Sequence, residues 1–292
     1  MVLCTLHLIS LKEGISLSAF LSSLHGADIK PIAQARVLRW MILPKQISAG
    51  HLLARNIHWD ALLILDSSSS SSSPASAAAL KSIFANSVSA EWTASVGTSS
   101  KLLSSYASTN AQLLNPSPDA PSNIKPVALD LEAAKKADSS ENLELTPEMA
   151  HFISALPSQL KTHPVSMLNL LSFNRGKHAQ YVKYGQEFSA RVGSRYGGHV
   201  KIVGKVTSSG AGAVEGIEPK EQGKEEGWDE IAFVHYPSII NFAAMAGDKD
   251  YQDVNHTYRL GALKDTFILC VLEVGVDGEP VGLKRKGVQM KL

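Results

Sequence analysis

Apolar residues along this chain fall into short blocks whose spacing switches between the period of a strand and that of a helix. In the first third, Val2 to Leu11 and Ala35 to Leu43 read as strands, with Ser16 to His25 as a short helix between them. Trp59 to Leu65 is a continuous apolar run of strand length, and Ala77 to Val96 is rich in helix formers and is predicted as a helix. A closing strand is placed near Ala111 to Leu114. From residue 165 the pattern sharpens: strand Val165 to Phe173, then a helix from His178 to Val192 that carries Tyr181, Tyr184, Phe188 and Val192 along one buried stripe. Gly197-Gly198 breaks the chain before strand His199 to Val206, and Pro237 ends strand Glu230 to Tyr236. Helix Ser238 to Ala246, a short helix around Tyr258 to Leu263 and strand Thr266 to Val274 complete an order β-α-β-β-α-β.

Two landmarks recur in the same order. Thr5 to Leu11 resembles Met167 to Phe173 in pattern at an offset of 162, and Trp59-Asp60 opens an apolar run as Trp228-Asp229 does, at an offset of 169. The reading is an α+β fold of tandem ferredoxin-like units. Residues 1–114 form the first unit, 115–160 a proline-bearing linker that partly packs through a helix from Pro147 to Ala155, 161–276 the second unit, and 277–292 a basic tail. The seven-serine run Ser67 to Ser73 and the glycine-rich stretch Ser208 to Gly227 are expected as exposed excursions.

A four-stranded sheet with helices on one face leaves its other face bare. Both faces of Thr266 to Val274 are apolar: Phe267, Leu269 and Val271 on one, Ile268, Cys270, Leu272 and Val274 on the other. The bare face needs a partner, and two units in one chain supply it internally, as an intramolecular barrel. A monomer is therefore expected.

Charge narrows the partners. The chain has 28 Lys and Arg against 27 Asp and Glu among 292 residues, so it lacks the one-signed field that draws nucleic acid or anionic lipid. The cluster Lys284, Arg285, Lys286 and Lys291 is read as a solvated tail. Cys4 and Cys270 both sit in apolar strands and read as buried free thiols, consistent with a reducing, cytoplasmic setting. The start lacks a secretory pattern, and no apolar run reaches membrane-spanning length.

Residues 165–274 resemble the dimeric α+β-barrel family known as domain of unknown function 1330. The likeness rests on Met167-Leu168-Asn169-Leu170-Leu171, the Tyr181/Tyr184 helix, Tyr196-Gly197-Gly198, Trp228-Asp229, Tyr236-Pro237-Ser238, and Tyr251 followed by Arg259 and Ala262-Leu263. The first half shares only the element order and the Trp-Asp landmark. The family is itself uncharacterised; similar barrels serve cofactor-free monooxygenases, isomerases, cyclases and haem enzymes, so the resemblance implies architecture more than activity.

Several polar residues suit chemistry in such a barrel. Asn169 interrupts an apolar strand, where a buried amide either holds a ligand oxygen or bonds neighbouring backbone. His235 is placed to act as a general base, although a strand end before Pro237 is also a place for solvent exposure. His256 and Arg259 share a helical face near Tyr251, a spacing suited to an anionic or enolate oxygen. Tyr181, Tyr184, His199 and Tyr251 are the further candidate ligand contacts. No His-Glu-x-x-His, paired Cys-x-x-Cys, phosphate loop or Gly-x-Ser-x-Gly occurs, so neither a metal nor a cofactor is signalled, while haem on a lone histidine stays open. The expectation is an apolar pocket inside the barrel for a small aromatic or polyketide-like metabolite. Asn169, His235, His256 and Arg259 would be its polar groups, and proton abstraction beside a carbonyl the reaction. The alternative is a non-catalytic binding or interaction module.

Overall fold

The computed structural model describes residues 2–67, 74–116, 128–129, 137, 139–211 and 227–283. Most of the serine run, the greater part of the glycine-rich excursion, much of the proline-bearing linker and the basic tail lie outside the described residues. The elements of the first half are β1 (Val2–Leu11), α1 (Leu17–Gly26), β2 (Ala33–Ile42), α2 (Ala49–Leu52), β3 (Ala61–Asp66), α3 (Pro74–Ser87), β4 (Val88–Thr98) and α4 (Ser100–Leu114). Two connecting helices follow, α5 (Pro147–Ala155) and α6 (Ser158–Lys161). The second half has β5 (Val165–Phe173), α7 (His178–Phe188), α8 (Ser194–Tyr196), β6 (His199–Ala211), β7 (Glu230–Tyr236), α9 (Ile239–Ala246), α10 (Lys249–Val254) and β8 (Leu263–Glu273).

Among the described residues eight strands pair antiparallel and close into one barrel in the order β1-β3-β2-β8-β5-β7-β6-β4, with β4 returning to β1. The two halves are therefore stitched edge to edge at two seams, β2 with β8 and β4 with β6. Closure removes the free edges that an open sheet would present. At the second seam Gly204 passes so close to β4 that a Cβ would meet Val96 Cγ1 at 2.5 Å and the Gly97 carbonyl at 2.9 Å.

Alternation along the strands sorts side chains into two layers. Leu6, Leu8, Leu62, Ile64, Leu168, Leu170, Phe233 and Leu269 point inward and pack with Trp59, Trp92 and Trp228. Phe267 lies at the centre, edge-on to Trp40, Trp92 and Trp228 at 5.3, 6.0 and 5.2 Å. Small residues opposite the indoles, Ala33, Ala35, Ala90 and Ala94, leave the room these rings fill. The outward layer of the first half packs on α1 and α3 through Ile9, Phe20, Leu21, Leu24 and Leu63. That of the second half packs on the connecting helices and α9 through Met149, Ile153, Met167, Phe242, Ile268 and Cys270.

The Trp-Asp landmarks do the same work twice. Asp60 accepts from Leu11 N–H and donates its own N–H to the Ile9 carbonyl, while Asp229 accepts from Phe173 N–H and donates to the Leu171 carbonyl. Each carboxylate thus ties a strand end to the strand after next. Helix starts follow their capping signals: Ser16, Thr146, Ser238 and Asp248 each accept an N–H from the first turn.

The end of the first half departs from the sequence expectation. The helix assigned to Ala77 to Val96 stops at Ser87, the closing strand is β4, and Ala111 to Leu114 belongs to a helix, α4. Ala90, Trp92, Ala94 and Val96 alternate with Glu91, Thr93 and Ser95, a period of two that alanine and serine disguise as helical composition. In the second half, α7 gives way at Ser189–Gly193 to a wide π-type turn, and α10 does so at Asn255–Arg259. The expected helix around Tyr258 to Leu263 therefore begins and ends earlier. Among the described residues no helix is long and apolar enough to cross a membrane.

Candidate functional site

The sequence-derived candidates separate into two groups on opposite faces of the second-half sheet, with His256 belonging to neither. The first group lies on the outer face, between β5 and the helices α7 and α10. Tyr181 and Tyr184 are one helical turn apart on α7, with ring centroids at 5.2 Å, and Phe173 and Phe188 extend the stack at either end. Across from them Tyr251, fully buried, places its hydroxyl 3.4 Å from that of Tyr184.

Arg259 enters this group from the second wide turn. An extra residue in a helical turn rotates the side chains that follow and frees backbone groups, which is one reason such turns recur where a side chain must be aimed. Arg259 is only 2% exposed, yet among the described residues no carboxylate lies within ion-pair distance of it. Its Nη1 reaches Asn255 Oδ1 at 3.5 Å, the Tyr181 hydroxyl is a further partner, and Nη2 has none. Burial opposes the guanidinium charge, but the surrounding tyrosine oxygens outweigh that effect, and Arg259 stays charged. Burial drives the hydroxyls of Tyr181 and Tyr251 well above their ordinary range and raises that of Tyr184, so all three remain neutral donors. A cleft of about 180 Å³ at the start of β8, rimmed by Lys45, Glu141, Lys264, Asp265 and Thr266, also has Arg259 in its wall.

The second group lies on the inner face, at the barrel end where β5 and β6 begin and β7 and β8 finish. His235 points inward here, 2% exposed, and its Nδ1 has no partner. Burial and then the Lys201 charge push its imidazole down to about 3, so it is neutral at physiological pH. His199 sits at the rim, exposed. The centre of this group is an ion pair that the motif search did not single out. Lys201 Nζ contacts Glu273 Oε1 and donates to Ser166 Oγ and Asn110 Oδ1, both at 2.9 Å. Glu273 accepts further bonds from Ser166 Oγ, Tyr106 hydroxyl and Asn110 Nδ2 at 2.8, 2.9 and 2.6 Å. Burial pushes the Glu273 carboxyl up, but Lys201 and these donors more than reverse it, so it is held ionised below the usual carboxylate range. Tyr106 and Asn110 come from α4, which lies across this end of the barrel, and a cavity of about 40 Å³ beside them is large enough for a water molecule.

The expected single pocket lined by Asn169, His235, His256 and Arg259 does not form. Strand alternation puts Asn169 and His235 on opposite faces, because Leu168 and Leu170 take the inward positions of β5 while Phe233 and His235 take those of β7. Indole and phenyl rings occupy the lumen. Asn169 spends its amide on the Met167 and Ala232 carbonyls at 3.1 and 3.2 Å. His256 stands in solvent, its side chain 54% exposed, 3.6 Å from Glu144. Strand parity is the signal that could have found Glu273, which shares the inward face of Phe267, Leu269 and Val271; Lys201 is hidden by the bulge between Val200 and Ile202. Both cysteines are buried free thiols, as expected, and burial raises Cys4 to about 11 and Cys270 to about 12.

No family model matches the chain, and no curated protein matches it. Among solved structures it is similar to a protein of unknown function from Rhodopseudomonas palustris, at 23% identity and a TM-score of 0.32 over 43% of this chain and 91% of that one. A methylated form of the same protein gives 24% identity and a TM-score of 0.32. A protein provisionally assigned as a monooxygenase, from Lactobacillus acidophilus NCFM, is similar over 94% of both chains at 5% identity and a TM-score of 0.44. The chain is an α+β protein whose eight antiparallel strands close into one barrel.

Proposed function

We propose that this chain binds a small aromatic or polyketide-like metabolite through an acidic oxygen at Arg259, where α7 and α10 pack on the second-half sheet, with Arg259 and the hydroxyls of Tyr181, Tyr184 and Tyr251 as its donors. The observation that carries this reading is Arg259: a buried guanidinium without a carboxylate, one of its nitrogens unpartnered. Leaving a buried charge unpaired costs several kcal/mol, a cost that a bound carboxylate, phenolate or enolate would remove. The architecture we read behind it is two ferredoxin-like units, residues 1–114 and 161–276, joined by a linker within a monomer. The resemblance of residues 165–274 to the domain of unknown function 1330 family belongs to the same reading, as does a cytoplasmic setting.

Stabilising an enolate or phenolate is what a cofactor-independent monooxygenase, isomerase or cyclase does to a substrate that is already acidic. The substrate would lose its proton to bulk water and bind as the anion, since His235 is on the far face of the sheet and His256 is in solvent. That missing base also favours the second reading, a binding module without chemistry. Oxygen uptake and product formation with quinol and polyketide mimics separate the two. Arg259→Met is expected to weaken binding of an aromatic carboxylate such as salicylate by roughly 10- to 100-fold, the worth of a charge-assisted hydrogen bond. Unchanged affinity in calorimetry would remove the site.

A further inference from the structure

The outer face of the first half holds a buried pair that neither the barrel nor the Arg259 site uses. His7, on β1, is 8% exposed, and its Nδ1 lies 2.5 Å from Glu91 Oε1 on the neighbouring β4. Both side chains are largely enclosed, at 10% and 16% exposure. Nε2 of the same ring is buried and has no partner. In the neutral ring, a carboxylate accepting from Nδ1–H fixes the tautomer and leaves Nε2 as the lone-pair nitrogen.

The surroundings fit a flat apolar molecule with one acidic hydrogen. Phe84 of α3 stands edge-on to the imidazole at 5.7 Å, and Phe20 of α1 packs on Phe84 at 5.9 Å. Ile9, Leu63 and Leu65 complete an apolar floor. The helix above is lightly held: of α3 only Ser87 is fully buried, while Leu80, Ile83 and Phe84 are partly so. Position strengthens the case. His7 pairs with Leu63 as Asn169 pairs with Ala232, so the two residues occupy equivalent points in the two halves. Asn169 closes its amide on backbone carbonyls, whereas His7 keeps one nitrogen open.

We propose that His7 and Glu91 form a second ligand site, one that accepts the proton of a small phenol-like or enolic molecule bound beneath α3. The O–H bond of the ligand breaks, its proton passes to His7 Nε2, and the imidazolium so formed is held by Glu91 while the phenolate keeps the electron pair. No oxidant or cofactor takes part. Glu91 acts through His7 and is the positioning residue.

The test uses the full chain and 3-nitrophenol in neutral buffer, where the free probe is mostly protonated and its phenolate band is weak. The expected result is a saturable phenolate absorbance on adding protein, lost in His7→Phe with at least a roughly tenfold weaker affinity. Glu91→Gln is expected to keep the probe bound by calorimetry while losing the phenolate band, and Phe84→Ala to bind more weakly. Arg259→Met should leave the band intact, which separates this site from the one proposed above. Absence of any phenolate band, its loss in Arg259→Met with retention in His7→Phe, or indifference to both Glu91→Gln and Phe84→Ala if His7→Phe does not fold, would each overturn the assignment.

Discussion

His235 brings a neutral imidazole into the barrel, and that alone makes the protein's stability depend on pH. In the unfolded chain the ring takes a proton below about pH 6.5, whereas in the folded chain it does so only near 3. Through that window the unfolded state binds more protons, so stability falls as pH falls. From pH 7 to pH 5 the loss from this one group is about 2 kcal/mol. His235→Asn should lose that much less over the same interval, measured by urea unfolding at both pH values; equal losses would mean that the ring is not buried in neutral form. Arg259 makes an opposite kind of statement at the same scale. Its charge is costly where it lies, so Arg259→Met should leave thermal stability unchanged or raise it while binding is lost, the mark of a residue kept for a ligand.

Among the elements, α4 is held by a buried charged network. Its Tyr106 and Asn110 hydrogen-bond to Glu273 on β8, and Lys201 on β6 completes the knot, so a first-half helix is pinned to two second-half strands. Such a network is stabilising only while complete. Lys201→Met should cost about 3–5 kcal/mol by stranding Glu273, whereas Lys201→Met with Glu273→Leu should recover most of it, because matched apolar residues avoid the desolvation that an ion pair must offset. Urea unfolding of the two variants checks this; similar losses in both would show that the carboxylate is needed for its other partners. The same region shows where element reading failed. Strand β4 reads Val-Ser-Ala-Glu-Trp-Thr-Ala-Ser-Val-Gly-Thr, in which the alanine, serine and glutamate run on from α3 as helix formers and only the alternation says strand. Tertiary pairing with β1 and β6 decides between them.

The whole molecule depends on closure. Each half brings four strands, and the two seams between halves turn eight strands into a barrel without edges. Gly204 is the tightest point of one seam, with Val96 and the Gly97 backbone in the space a side chain would need. Gly204→Ala should destabilise by about 1–3 kcal/mol, as overpacking does, and should raise hydrogen exchange along β4 and β6 more than along β5 and β7. A uniform rise would mean that the barrel opens only as one unit.

What the sequence settled unaided was local or periodic: most strands of an α+β barrel, the recurring Trp-Asp landmarks, the buried thiols, and the aromatic stripe of α7. These follow from backbone hydrogen bonding and side-chain period, which neighbours in the chain control. Which residues share a site was decided only by the tertiary structure. One residue of strand register moves a side chain from the lumen to the outer face, and a single wide turn re-aims everything after it. That is why His235 and Arg259, read together in the sequence, stand on opposite sides of a sheet. It is also why His7 and Glu91, separated by most of the first half, meet at 2.5 Å.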